Sequence, residues 1–462
     1  MAFISEFNSL MWGYVLSIIL LGTGFVYSIA TGFPQLTQFG KIWDSLKANM
    51  DGEGGISGFS ALCATVGGQV GTGSLVGVAS ALLAGGPGAL FWMWITALFG
   101  MVISFAEAVL GQLYHEKSPD GNFYGGAPYY MTKGLHNKTL ACLYAAFTVF
   151  AIGIAIVMLQ THSIASAVTV IYPLPTWVLG IGVALLTALV VLGGVKRITE
   201  TASLVVPFMA VIYLLGVIYI VITHFAQIPA LFAQIMSSAF TTEAAAGGAV
   251  GYTIKEAVRN GVARGLFSND AGNGCAAAMH ASAKVEHPAM QGFAAMFGTF
   301  MTTIVICSCT GFAILLSGVL HSGAIGVNLV QAAFSANLGS FGNYFVMLMT
   351  FLFCFTTIIA DVFYGEVSVR YLFKETPEKV ERYVKMFKIL VLLLIIVGSM
   401  MQLDDLWDLV DFGVAFLVLF NVYALLKMKG DVVHVLKDYL EKLKERSQAG
   451  KQKAVSLGKE EV

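Results

Sequence analysis

The chain has 462 residues, 57% hydrophobic and only 11% charged, with a formal net charge of −1 and a mean hydropathy of +0.79. A soluble domain of that composition could not keep its surface solvated, so the composition excludes one and points to a polytopic membrane protein. The near-neutral balance gives no electrostatic reason to expect a nucleic-acid partner.

A membrane-crossing helix needs about 20 mostly apolar residues. By that measure about eleven spans are expected, at roughly 9–31, 57–84, 87–114, 139–171, 175–195, 201–224, 252–280, 288–320, 342–372, 383–401 and 403–427. No cleavable leader is expected, because the first residues lack a basic region and no cleavage site follows the first apolar stretch. From residue 430 onward, lysines, one arginine and acids predict a solvated tail, with a short amphipathic helix followed by disorder.

Basic residues in the links set the orientation. Lys41, Lys47, Lys117, Lys133, Lys138, Lys196, Arg197, Lys284, Arg370, Lys374, Lys379, Arg382 and Lys385 all fall in or beside alternate links. The intervening links, around 85–86, 172–174, 225–251, 321–341 and 402, hold no Lys or Arg. Positive links stay cytoplasmic, which predicts an outside N-terminus, a cytoplasmic C-terminus and an odd number of spans. The organisation expected is an extra helix and link (1–56), a first five-helix repeat (57–224), an extracellular link (225–251), a second repeat (252–429) and a tail (430–462). The two repeats enter the membrane from opposite sides, so they are inverted, and such a pair places a site at the midplane.

Each repeat opens with an interrupted span. The first interruption reads Val66-Gly67-Gly68-Gln69-Val70-Gly71-Thr72-Gly73-Ser74. Carbonyls of Val66, Gly67 and Val70 are expected to be freed there as hard ligands for Na⁺, and amides from Gly71 onward to point at a substrate carboxylate. The bland alternative is close packing through small residues. The second reads Gly265-Leu266-Phe267-Ser268-Asn269-Asp270-Ala271-Gly272-Asn273-Gly274. The outer half is expected to end near Leu266 with carbonyls facing an ammonium, while Ser268, Asn269 and Asp270 cap the inner half. Lys255, Glu256, Arg259 and Arg264 require this span to face a bundle interior or a wet path.

Thr356 and Thr357 pair two hydroxyls as a candidate Na⁺ site, the alternative being bonds to their own helix. Asp361 is an intramembrane acid and a functional candidate. Gln160 reads equally as interhelical glue or substrate contact. Glu107 and Glu366 read as partners of basic residues. The six cysteines lie in or beside apolar segments as small hydrophobes, and neither Cys307-Ser308-Cys309 nor His162 and His280 suggests a metal site. No nucleophile–base constellation for an enzyme and no ring of pore-lining acids for a channel is spaced along the chain.

With Val70-Gly71-Thr72-Gly73-Ser74-Leu75-Val76-Gly77-Val78-Ala79, Gly85-Gly86-Pro87-Gly88-Ala89-Leu90-Phe91-Trp92-Met93-Trp94 and Tyr124-Gly125-Gly126-Ala127-Pro128-Tyr129-Tyr130, the chain resembles the alanine or glycine:cation symporter family. Gly193-Gly194-Val195-Lys196-Arg197-Ile198, Val206-Pro207, Gly265 to Gly272, His287-Pro288 and Gln291-Gly292 extend the likeness. The resemblance implies an all-α leucine-transporter-type fold with one extra helix in front. It implies alternating-access import of a small neutral amino acid, of the alanine or glycine type, across a prokaryotic inner membrane. The coupling ion implied is Na⁺, with H⁺ as the alternative, and no cofactor. Sodium ligands implied are Gly67, Val70, Thr356 and Thr357. Substrate contacts are expected from Gly68, Gln69, Gly71, Thr72, Gly73, Gln160, Phe267, Ser268, Asn269, Gly272 and Asp361. The sequence departs from the family pattern, which has Thr at Gln69, Asn at Ser74, Glu at Asp270, an apolar residue at Asn273 and Trp at Asp361. The alternative these departures raise is a proton-coupled or uncoupled carrier of a larger, polar or cationic amino acid.

Overall fold

A computed structural model describes residues 2–48, 55–118, 121–240 and 253–460. Those residues are almost wholly helical. A membrane has no water to satisfy backbone N–H and C=O groups, so helices are the economical way across it. Seven helices are long and apolar enough to span: Phe3–Thr31, Gly88–Leu113, Lys138–Thr169, Gly194–Thr223, Pro288–Ser317, Phe341–Leu372 and Leu403–Lys427. The pair Gly58–Gln69 and Gly73–Gly85, bent by 51°, makes an eighth if it is one span.

The other three expected spans are helical but weaker by length or composition. Thr176–Val191 has 16 residues. Ile254–Asn269 carries four charges in its first three turns, Lys255, Glu256, Arg259 and Arg264. Pro377–Gly398 has its charges in its first half, where the sequence reads PEKVERYVKMFK.

Burial separates a central helix from a peripheral one. In Phe341–Leu372, 78% of the most apolar stretch is buried, against 28% in Gly194–Thr223. The first is therefore wrapped by protein and free to carry polar groups such as Thr356, Thr357 and Asp361. The second presents Leu204, Phe208, Val211, Leu215 and Ile222 outward, as a lipid-facing helix does.

Several of the expected links hold structure. A two-stranded antiparallel ribbon pairs Glu116 with Tyr124 and Lys117 with Phe123. Ile228–Phe240 and Gly326–Leu338 are short helices; the rest of the expected extracellular link, from 241 on, lies outside the described residues. The tail corrects the sequence reading. Lys429–Glu460 is one helix through the last described residue, instead of a short helix and disorder. Val432, Val435, Leu436 and Tyr439 recur at helical spacing and are all buried, which docks its first half on the bundle. His287 Nε2 donates to Asp438 at 2.8 Å, and Arg446 meets Glu286 at 3.0 Å.

The two interrupted helices meet at one end. Ile56 and Ala283 form a parallel bridge, and the Lys284 amide donates to the Ile56 carbonyl at 3.0 Å. The residue before one inner half and the residues after the other are thus tied together.

Candidate functional site between the two broken helices

The first break is narrower than the sequence suggested. The helix holds to Gln69, because the Val70 amide still reaches the Val66 carbonyl at 2.8 Å. The Val66 carbonyl is therefore occupied and not free for an ion. Beyond it the ladder fails. The Gly71 amide turns to Gln69 O at 3.1 Å, and the Ser74 amide bonds Gly71 O at 3.1 Å. The carbonyls of Gly67 and Val70 consequently lose the amides that a continuous helix would supply.

The Gly67 carbonyl finds other company. Thr356 Oγ1 lies 3.1 Å from it and Thr357 Oγ1 2.9 Å. Both hydroxyls also sit within 3.1 Å of the Phe353 carbonyl of their own helix. A hydroxyl has one proton and two lone pairs. Each hydroxyl can donate its one proton to Gly67 O or to Phe353 O; with a cation bound, both protons would turn to Phe353 and leave the two hydroxyls and Gly67 O to present lone pairs to it.

Gly71 has no room for a side chain. A Cβ there would come within 2.7 Å of Gln160 Oε1 and closer still to Thr357 Oγ1. Gln160 resolves its two readings on different atoms. Its Oε1 accepts from the Thr72 amide at 2.8 Å and the Thr72 hydroxyl at 2.7 Å, which is glue, while the side chain also lines the cavity. The amides of Gly71 and Thr72 are thus both engaged within the protein, against the expectation that they stay open. A π-helical turn, Gly73–Gly77, follows the break; such turns recur at functional sites.

The second break runs differently from the reading above. Ile254–Asn269 is continuous helix, closed by Asp270 in the left-handed region (φ 55°), and its amide meets Leu266 O at 3.1 Å. Ser268 and Asn269 therefore belong to the last turn of the outer half and cap nothing on the inner half, which begins at Ala276. The Leu266 carbonyl is taken by Asp270, and Asn269 O accepts from Gln69 Nε2 at 2.8 Å. Neither is left for an ammonium. Ala271 N bonds Asn269 Oδ1 and Gly272 N bonds Glu107, so Phe267 and Ser268 are the carbonyls without their helical partners.

Glu107 departs furthest from its sequence reading. It contacts no basic residue in any described ion pair. Its Oε1 accepts from Gly272 N at 2.9 Å, Gly274 N at 3.1 Å and Asn421 Nδ2 at 2.6 Å. A buried carboxylate fills the second break and satisfies the amides that the interruption releases. Asn421 also donates to Gly272 O at 3.0 Å and accepts from Tyr130, while Tyr144 donates to Asn273 O at 2.6 Å. Glu366 behaves as expected, pairing with Arg370 at 2.8 Å and Lys388 at 2.7 Å.

A small enclosed cavity lies between the breaks. Of the expected substrate residues, Gly68, Gln69, Gly73, Gln160, Phe267 and Asp361 line it, together with Thr357 of the expected sodium set. Ile156 and Asp270 line it too, and were not in that expectation. Gly71, Thr72, Ser268, Asn269 and Gly272 stand behind the wall. Ser268 Oγ faces Cys307 Sγ at 2.9 Å, and Gly272 is held by Glu107 and Asn421. A second small cavity adjoins, sharing Ile156, Phe267 and Asp270 and continuing to Trp12 and Val414. One turn before Phe267, Arg264 forms a two-point pair with Asp411 (3.2 and 3.3 Å) and stacks 4.2 Å over Trp407. Trp407 packs edge-on to Phe267 at 4.8 Å, so this stack backs one wall residue of the site. Asp411 was legible as an acid inside an apolar span, and the sequence reading passed over it.

Comparison with known proteins agrees with this architecture. The chain is 37% identical over 448 residues to an uncharacterized transporter of Haemophilus influenzae, covering 96% of each chain. It is 34% identical to the sodium/alanine symporter AgcS of Methanococcus maripaludis, covering 95% of this chain and 97% of that one. It is 34% identical to the probable sodium/glutamine symporter GlnT of Bacillus subtilis, covering 94% and 89%. A manganese transporter of Eremococcus coleocola superposes with a TM-score of 0.57 over 86% of this chain and 85% of that chain, at 13% identity. That likeness shows the fold alone, a leucine-transporter-like helical arrangement. Residues 1–454 match the sequence model of the sodium:alanine symporter family, so the chain is a multi-pass membrane transporter, not an enzyme, and belongs to that family.

Proposed function

We propose that this protein is a sodium-coupled symporter that imports a small neutral amino acid, of the alanine or glycine type, by alternating access. The observation that carries the reading is the convergence of Gly67 O, Thr356 Oγ1 and Thr357 Oγ1 within 3.1 Å, directly beside the cavity wall. These oxygens, with the Val70 carbonyl, would hold Na⁺. The substrate would sit next to them, between Gly68–Gly73 and Phe267. The names of the relatives, sodium/alanine and probable sodium/glutamine symporters, point the same way.

Coupling follows from shared parts. Thr357 belongs to the ion group and also lines the cavity. An ion that fixes the 67–73 segment raises substrate affinity, and the substrate raises ion affinity by the same factor, typically about 1–3 kcal/mol. The architecture we infer is eleven spans, an inverted five-plus-five core behind one extra helix, with the N-terminus outside and the C-terminus in the cytoplasm of a prokaryote. Rocking of one bundle against the other around the fixed site would then expose it to each side in turn.

The test is uptake of labelled alanine and glycine into proteoliposomes under an imposed Na⁺ gradient, with K⁺ replacing Na⁺ as control. Accumulation that requires Na⁺ supports the reading. Accumulation driven by a pH gradient without Na⁺ would replace it with proton coupling, for which the buried carboxylate of Asp361 is the motive.

A further inference from the structure

We propose that Asp361 receives the α-ammonium group of the substrate. The inference rests on the amino-acid reading above and assigns a role within that site. Asp361 lines the cavity, is only 2% exposed, and its Oδ2 has no hydrogen-bond partner among the described residues. A carboxylate in that position must be met by a cation or a donor, because burying it alone is very costly. Among the described residues none bonds Oδ2. No Lys, Arg or His lines the cavity.

The geometry selects the ammonium over the sodium ion. Asp361 follows Thr357 by four residues on one helix, so it lies on the same face one turn further along. The ion group at Gly67, Thr356 and Thr357 is centred one turn away from it. On the other wall, the Leu266 and Asn269 carbonyls are consumed by Asp270 and Gln69. Asp270, the other acid in the cavity, already holds Asn273 Nδ2 at 3.0 Å. The wall near Asp361 is thus rich in acceptors, and an ammonium brings three donors.

Charge reinforces the assignment. A zwitterion and one Na⁺ together carry one positive charge, which one ionised carboxylate of the Asp361–Asp270 pair cancels. The neutral complex can then cross a dry, closed state without leaving a net charge in the low-dielectric interior.

The experiment compares wild type with Asp361→Asn, an isosteric change that keeps the shape and removes the charge. Competition against labelled alanine uses unlabelled alanine, lactate (hydroxyl in place of the amine), ethylamine (no carboxylate) and lysine. In wild type, alanine competes, ethylamine competes weakly and lactate does not. In Asp361→Asn, alanine weakens by at least about 30-fold, ethylamine is lost, and the preference for alanine over lactate collapses. A merely structural role would lower uptake without changing that ranking. An unchanged ranking overturns the proposal. So does selective transport of lysine by wild type that Asp361→Asn abolishes while alanine is spared, because the carboxylate would then read the side chain. If wild type accumulates no amino acid with Na⁺, the proposed function falls instead. Thermal stabilisation of the purified protein by ethylamine, present in wild type and absent in Asp361→Asn, still decides the role of Asp361 in that case.

Discussion

The two broken helices solve one problem in opposite ways. Each releases backbone groups inside the bilayer, where every such group needs a partner. The first break is short, confined to residues between Gln69 and Gly73, and it leaves Gly67 O among hydroxyls. The second spans six residues, Asp270 to Cys275, and is filled from within by Glu107, Asn421 and Tyr144. The difference teaches a division of labour. The first break offers ligands, and the second is a braced joint whose released amides are already satisfied.

The sharpest way to break this comparison is Gly71→Val. The added carbons would collide with Gln160 and Thr357, so Na⁺-driven uptake should vanish while the purified protein still elutes as a folded species. Uptake near the wild-type level would remove the first break from the site. Next in size is Glu107→Ala, which leaves the Gly272 and Gly274 amides buried without an acceptor. At about 1–3 kcal/mol for each orphaned group, the loss of stability should be roughly 2–6 kcal/mol. Thermal unfolding in detergent measures it, and an unchanged midpoint would contradict the brace.

Thr357→Ala should weaken apparent Na⁺ affinity by about 10- to 100-fold, the worth of one ligand to a charged group, with little effect on folding. Thr357→Ser, which keeps the hydroxyl, should restore most of it. Sodium titration of alanine uptake reads both. The smallest effect belongs to Ser268→Ala on the second break. Ser268 faces Cys307 and not the cavity, so stability should change by about 1 kcal/mol or less. The sodium titration curve should superpose on that of wild type.

Much of this site was legible in the sequence, and the limits have physical causes. The glycine cluster at 66–74 and the Ser-Asn-Asp-Ala-Gly run at 268–272 marked both interruptions. Paired threonines in an apolar helix marked their counterpart. What one dimension hides is partnership across the fold. Glu107 looked like half of an ion pair because carboxylates in membranes usually are; its true partners are backbone amides some 165 residues away. Ser268 and Asn269 looked like caps because their types favour caps. Asp270 accepted a left-handed backbone, as short polar side chains can, and let the outer helix run three residues longer, to Asn269. The tail looked like a short helix and then disorder, yet it is helical to residue 460, with four apolar residues at helical spacing docking its first half.

The backbone bond between Lys284 and Ile56 ties one arm of each broken helix to the other. While it lasts, neither arm can swing alone. Whatever opens that end of the molecule must lift both as a yoked lever, or first spend a hydrogen bond to uncouple them. A disulfide bridging positions 56 and 283 would therefore be harmless to a carrier whose arms travel together and fatal to one whose arms part.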